Sequence, residues 1–144
     1  AVTYNTCADR GQVGLFPFAG LIQDNTPFIM AGHILLPQIT GDATPSSLSS
    51  QLLTDYLRET MGYNGIIITD ALNMGAIQDN YPPDRAAVMA LQAGADLLLM
   101  PADFKEAYNG VLDAVKTGEL TEERIDQSLT RILSLKLTLP RHKR

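Results

Sequence analysis

Three polar side chains stand where short apolar runs end. His33 follows Phe28-Ile29-Met30-Ala31-Gly32, Asp70 follows Ile66-Ile67-Ile68-Thr69, and Asp103 follows Asp96-Leu97-Leu98-Leu99-Met100 and the turn residues Pro101-Ala102. A carboxylate held at such a point can attack an electrophilic carbon or move a proton. It can equally cap a helix, because Asp is a favoured N-cap residue. Asp70 precedes Ala71-Leu72-Asn73-Met74, and position alone leaves both roles open for it. A long, regular helical pattern follows Asp103, which favours capping there. His33 stands alone, and a lone histidine is more often a hydrogen-bonded wall residue than a base or ligand.

Other chemistries lack their residues. His142, the second of two histidines, sits in the C-terminal tail, so no histidine cluster of metal-binding spacing forms and no metal is expected. Gly11 and Gly14 follow no strand pattern, and no Gly-x-Gly-x-x-Gly phosphate loop occurs, so no cofactor is expected. The Gly-x-Ser-x-Gly elbow of serine hydrolases is missing too. Met30, Met74, Met89 and Met100 read as core or pocket lining.

The elements that position these side chains follow from pattern. Each apolar run is short, lacks polar alternation and opens after a turn signal, as strands buried on both faces of a parallel sheet do. Helical spacing links them. Leu52, Leu53, Tyr56, Leu57 and Met61 predict one helix, with serines 46, 47, 49 and 50 available as caps and Gly62 as the stop. An alanine-rich helix spans Ala86 to Ala93, after Pro82-Pro83 and before Gly94. Phe104, Ala107, Tyr108, Val111, Leu112 and Val115 form an apolar stripe ending near Gly118. A last helix starts at Thr121, stapled by Leu120 and Ile125, and turns Ile125, Leu129, Ile132 and Leu133 inward. Successive strands begin about 38 and 30 residues apart, which suits βαβ units. The alternation means a parallel sheet with helices outside, either doubly wound or part of a (β/α)8 barrel. A whole barrel needs roughly 250 residues, so the chain supplies about half of one.

Composition bounds the partners. The 144 residues are 45% hydrophobic and 19% charged, enough for one core, and are expected to form a single domain over 1–144. A net charge of −5 argues against nucleic acid, whose phosphates need a basic face. Residues 137–144 read as an exposed basic tail carrying Arg141-His142-Lys143-Arg144. Cys7, the single cysteine, rules out an internal disulfide and leaves the compartment undecided. No apolar run approaches the ~20 residues of a membrane helix, and nothing resembles a targeting segment.

The run Ile68-Thr69-Asp70-Ala71-Leu72-Asn73-Met74 closely resembles the nucleophile segment of family 3 glycoside hydrolases. Thr-Asp-Ala favours the β-N-acetylglucosaminidase branch over the β-glucosidase branch, which has Ser-Asp-Trp. Further landmarks follow in family order: Leu15-Phe16-Pro17-Phe18, Met30-Ala31-Gly32-His33-Ile34, Pro45-Ser46-Ser47-Leu48-Ser49, Ala93-Gly94-Ala95-Asp96-Leu97-Leu98-Leu99-Met100, and Arg124-Ile125-Asp126-Gln127-Ser128 with Arg131-Ile132-Leu133. Together they cover about residues 15 to 136.

The resemblance implies an α/β fold that is a partial (β/α)8 TIM-like barrel, its last three βα units plus a C-terminal helix. It implies that Asp70 is the catalytic nucleophile of a retaining mechanism on an N-acetylglucosaminide-like carbohydrate, with His33 and Met74 binding the sugar. One departure matters. The family's histidine–aspartate acid/base loop has no counterpart, since residues 1–32 hold no histidine and neither Asp9 nor Asp24 sits in such a loop. The expectation is a catalytic fragment, inactive alone, that pairs with a missing N-terminal barrel half or forms a homodimer to cover its two sheet edges. The alternative is a non-catalytic half-barrel that binds a sugar or a protein. A flavodoxin-like domain would fit the alternation but leave the landmarks unexplained.

Overall fold

The computed structural model of the chain describes residues 16–139. Cys7, Asp9, Gly11, Gly14, Leu15 and the basic residues 141–144, all singled out above, lie outside them.

Three strands form one parallel sheet in the order β1 (Phe28–Ala31), β2 (Ile66–Ala71), β3 (Leu97–Leu99). The central strand is the most β-branched stretch, and stiff χ1 rotamers suit a pleated, doubly covered position. Phe28 pairs with Ile66 and Ala31 with Thr69, so β2 outruns β1 by two residues at its C-terminal end. Between β2 and β3 the register shifts: Ile68 faces Leu97, yet Ala71 faces Leu99. Three steps along β2 match two along β3, which places a one-residue bulge at Thr69-Asp70.

Helices connect the strands. The chain enters through α1 (Phe16–Gln23), and after β1 it makes the short α2 (Pro37–Thr40) and a 3-10 turn over Ser46–Leu48. The helix expected around Leu52 to Met61 is present over Gln51–Thr60, but it is wound as a π-helix, with Met61 N–H donating to the Tyr56 carbonyl five residues back. It starts without a serine cap, because Ser46 and Ser47 turn their hydroxyls back to the loop after β1. Beyond β2 come α3 (Gly75–Gln78) and α4 (Pro83–Ala93). Proline opens α4 where its missing N–H is harmless, and Gly94 ends it at φ 118°. After β3, α5 (Phe104–Thr117) is capped by Asp103, whose carboxylate accepts from Glu106 N–H at 2.9 Å. The last helix, α6 (Glu122–Thr138), is capped by Thr121. It therefore runs through the first two residues of the segment expected as an exposed tail.

Ile29 and Ala31 of β1 and Ile67 of β2 pack under the helices with Leu53, Leu57, Ile77 and the alanines of α4. A second cluster joins Val88 and Leu91 of α4 to Ala114 and Leu120, with Ile125 of α6 against it, as the staple predicts.

Three expectations about burial hold only in part. In α5 only Ala107 and Ala114 are buried, while Phe104 and Tyr108 stack on each other in solvent with centroids 6.2 Å apart. In α6 Leu129 and Leu133 face outward, and the docked face carries Arg124, Ser128 and Arg131 instead. The apolar period misled because this helix docks on a buried charge. Of the methionines read as core or pocket lining, Met89 packs against the core and Met30, although exposed, lines an apolar groove beside β1, while Met74 and Met100 are exposed.

Candidate active site and a buried charge hub

Asp70 lies on β2, not at the start of a helix. The next helix begins only at Gly75, so the capping alternative is excluded. The Asp70 side chain sits half-buried at the C-terminal end of the central strand, on the bulge, where an extra residue re-aims a side chain. One carboxylate oxygen, Oδ1, accepts from Ala71 N–H at 2.7 Å. Among the described residues Oδ2 takes no hydrogen bond and Asp70 enters no ion pair. A carboxylate held by one oxygen and open at the other can follow developing positive charge on a substrate carbon.

The following peptide is fixed from both sides. Leu72 N–H donates to the Leu99 carbonyl of β3 at 2.8 Å. The Ala71 carbonyl accepts from Met74 N–H at 3.1 Å and from His33 Nε2 at 3.0 Å. His33 reaches there from the loop after β1, and its Nδ1 meets Ser47 Oγ at 2.6 Å. Thr69, fully buried, lends Oγ1 to Leu99 N–H where the ladder slips.

The structure thus brings His33 and Met74 to the turn that follows Asp70. Both ring nitrogens of His33 are already engaged by protein atoms, whereas the Met74 side chain is exposed. Asp103 stands apart at the start of α5, where its Oδ1 caps the helix through Glu106 N–H. The apolar groove of about 360 Å³ lies elsewhere, along the free edge of β1, walled by Phe18, Ile29, Leu53 and Tyr56.

Residue-by-residue reading gave Asp96 no role. It stands before β3, at the opposite end of the sheet from Asp70, with no side-chain exposure. Its Oδ2 accepts from Arg58 and from Ile67 N–H, and its Oδ1 from Ser128 at 2.7 Å and Arg131 at 3.0 Å. Arg124 approaches at 3.8 Å and bonds the Leu91 and Ala95 carbonyls. Burial holds the Arg58 and Arg124 guanidiniums below their ordinary pKa, with Arg131 adding repulsion and Asp96 opposing both. The signal was present as Arg124, Ser128 and Arg131 at i, i+4, i+7 on one helix face, beneath the more conspicuous leucines.

In parallel α/β folds, sites lie at the C-terminal ends of the strands, and Asp70 stands at that end of the central strand. Residues 5–135 match the model of the glycosyl hydrolase family 3 N terminal domain. The chain belongs to that family. It is 36% identical to beta-hexosaminidase A of Pseudoalteromonas piscicida over 90% of its own length and 25% of that protein's. It is 31% identical to a beta-N-acetylglucosaminidase/beta-glucosidase of Cellulomonas fimi, over 80% of this chain and 22% of that one. Among solved structures, a glycoside hydrolase family 3 beta-N-acetylglucosaminidase from Paenibacillus sp. str. FPU-7 superposes with TM-score 0.89 at 36% identity, covering 92% of this chain and 26% of that chain. The chain thus spans about a quarter of the length of these relatives.

Proposed function

We propose that the chain is the nucleophile-bearing part of a retaining glycoside hydrolase acting on N-acetylglucosaminide-like substrates, and that Asp70 is the nucleophile. The observation that carries this reading is the Asp70 carboxylate, fixed through Oδ1 and open at Oδ2 at the end of the central strand. In the first step a bond forms between Oδ2 and the anomeric carbon while the bond to the leaving-group oxygen breaks, and a general acid protonates that oxygen. In the second step water attacks the same carbon while the now deprotonated acid takes its proton, the glycosyl ester breaks, and Asp70 and the acid are both regenerated. Met74 borders the sugar.

We place β1, β2 and β3 as the last three strands of a (β/α)8-like barrel. The general acid then comes from outside the described residues, and the chain alone is inactive. Relatives named for hexosaminidase activity, with which it shares about a third of its residues, support the substrate class.

A fluorinated glycosyl probe that traps the glycosyl-enzyme should add its mass to the peptide containing Asp70 in an active assembly. Asp70→Asn should lower kcat at least ~10³-fold, as removal of a nucleophile does. Azide should restore turnover of Asp70→Gly by supplying the missing anion. Label on another residue of this chain would overturn the assignment. Glycan binding that survives Asp70→Asn, with no hydrolysis by any assembled form, would support the non-catalytic module instead.

A further inference from the structure

We infer that His33 is a positioning residue for Asp70 and not a sugar ligand, and that the Ala71 carbonyl and the Ser47 hydroxyl together select the imidazole tautomer this requires. The inference rests on Asp70 being the nucleophile, but its geometry is independent of that role.

A carbonyl oxygen can only accept, so the 3.0 Å contact to Ala71 makes His33 Nε2 the protonated nitrogen. In the neutral ring Nδ1 is then a bare acceptor, and the hydroxyl of Ser47, 2.6 Å away, donates to it. Ser47 has no solvent exposure and, among the described residues, no other hydrogen-bond partner, so its hydroxyl proton has one place to go. The tautomer follows from burial. Neither ring nitrogen is left to bind a hydroxyl of a substrate.

The need for this clamp comes from strand lengths. β1 ends at Ala31 opposite Thr69, so no backbone N–H of β1 reaches as far as Ala71. The imidazole supplies that donor from the β1 side, while the Leu99 carbonyl holds Leu72 N–H from the β3 side. The Ala71–Leu72 peptide is thereby pinned across the sheet. The preceding peptide contributes the Ala71 N–H that holds Asp70 Oδ1. Because Asp70 lies on a bulge, the regular ladder does not fix its conformation, and side-chain anchors must. Ser46 steadies the same loop by donating to Gly32 and accepting from Ile34 N–H.

The first test is a nitrogen-15 NMR measurement of the His33 ring in the full chain at pH 8, which needs no catalysis. Nε2 should carry the proton with Nδ1 bare, and Ser47→Ala should shift the ring toward a mixture of tautomers. A predominant Nδ1–H form in the unsubstituted chain would overturn the inference. Amide exchange provides the link to Asp70. In His33→Ala the Ala71 amide should exchange at least ~10-fold faster, whereas His33→Gln, which keeps a donor and an acceptor, should restore most of the protection. Unchanged Ala71 exchange in a folded His33→Ala chain would show that the clamp does not reach Asp70. Should His33→Ala not fold, Ser47→Ala and His33→Gln carry the same comparison. In an active assembly His33→Ala should lower kcat by about 10- to 100-fold with KM within about two-fold, and His33→Gln should recover part of it. A rise in KM at constant kcat would instead make His33 a sugar ligand. If Asp70→Asn proves fully active while the tautomer and exchange results hold, the nucleophile assignment fails and the clamp remains.

Discussion

At the scale of single residues the molecule contains two carboxylates with opposite surroundings. Asp70 takes one backbone hydrogen bond and meets no cation among the described residues, whereas Asp96 is surrounded by Arg58, Arg124 and Arg131. The first environment leaves a charge available to a substrate. The second consumes it. Removing one partner of a buried ion pair leaves the others uncompensated, so Asp96→Ala should cost about 3–5 kcal/mol. Urea unfolding monitored by circular dichroism should resolve that loss. Arg131→Ala should cost less, on the order of 1 kcal/mol, because that side chain remains a quarter exposed and is partly screened.

Tyr63, beside the same hub, gives a pH signature. Its hydroxyl donates to the Ile66 carbonyl, and burial of the ring raises its pKa to about 12, with Arg58 opposing and Asp96 adding. An acid whose folded pKa is raised above the unfolded value near 10 keeps its proton longer in the folded state. Its contribution to stability is therefore complete below about pH 10 and is lost as pH rises toward 12. Urea midpoints measured at pH 8, 10 and 11.5 should fall over that interval. In Tyr63→Phe the fall should flatten, and the tyrosinate absorbance should lose a late-titrating component present in the intact chain.

At the scale of elements the sequence was most legible where local chemistry punctuates the chain. Gly94 and Gly118 stop α4 and α5 in left-handed backbone, and Asp103 and Thr121 cap α5 and α6 as their residue types suggest. Asp70 was a different case, since a strand ending and a cap have the same local look. The Leu72 and Asn73 amides bonding to Leu99 and Met100 carry the chain past Asp70 alongside β3, and this pairing is non-local. The π-winding of Gln51–Thr60 was equally hidden, because five-residue and four-residue hydrogen bonding place Leu53 and Leu57 inward alike.

Gly110 tests the packing of α4 against α5. A Cβ there would lie 2.8 Å from Asp84 Cα, a backbone atom that cannot rotate away. Gly110→Ala, which gains helix propensity in isolation, should nevertheless destabilise the protein by about 1–3 kcal/mol through overpacking. A melting temperature equal to or above that of the unsubstituted chain would contradict this close approach.

At the scale of the whole molecule, the sheet ends on both sides in unpaired strands among the described residues. Phe28 and Met30 of β1 are about half exposed or more, at 47% and 59%. Open edges with apolar side chains recruit further strands, so the chain should self-associate or take up strands of another segment. Sedimentation velocity should show concentration-dependent assembly, reduced by Met30→Lys. A monomer at all concentrations would contradict it.

By itself the sequence determined the parallel α/β alternation, the three strands, most helix ends and the family, and it set Asp70 and His33 at strand ends. Those features are local: periodicity, turn residues and short motifs suffice to encode them. The tertiary structure decided which carboxylate is open and which is enclosed. It also turned the leucines of α6 outward in favour of Arg124, Ser128 and Arg131, and occupied both nitrogens of His33. Each of these outcomes depends on partners about 14 to 38 residues away, such as Ser47 for His33 and Arg58 for Asp96. A carboxylate's role follows from the charges and dipoles that surround it, and only folding assembles those.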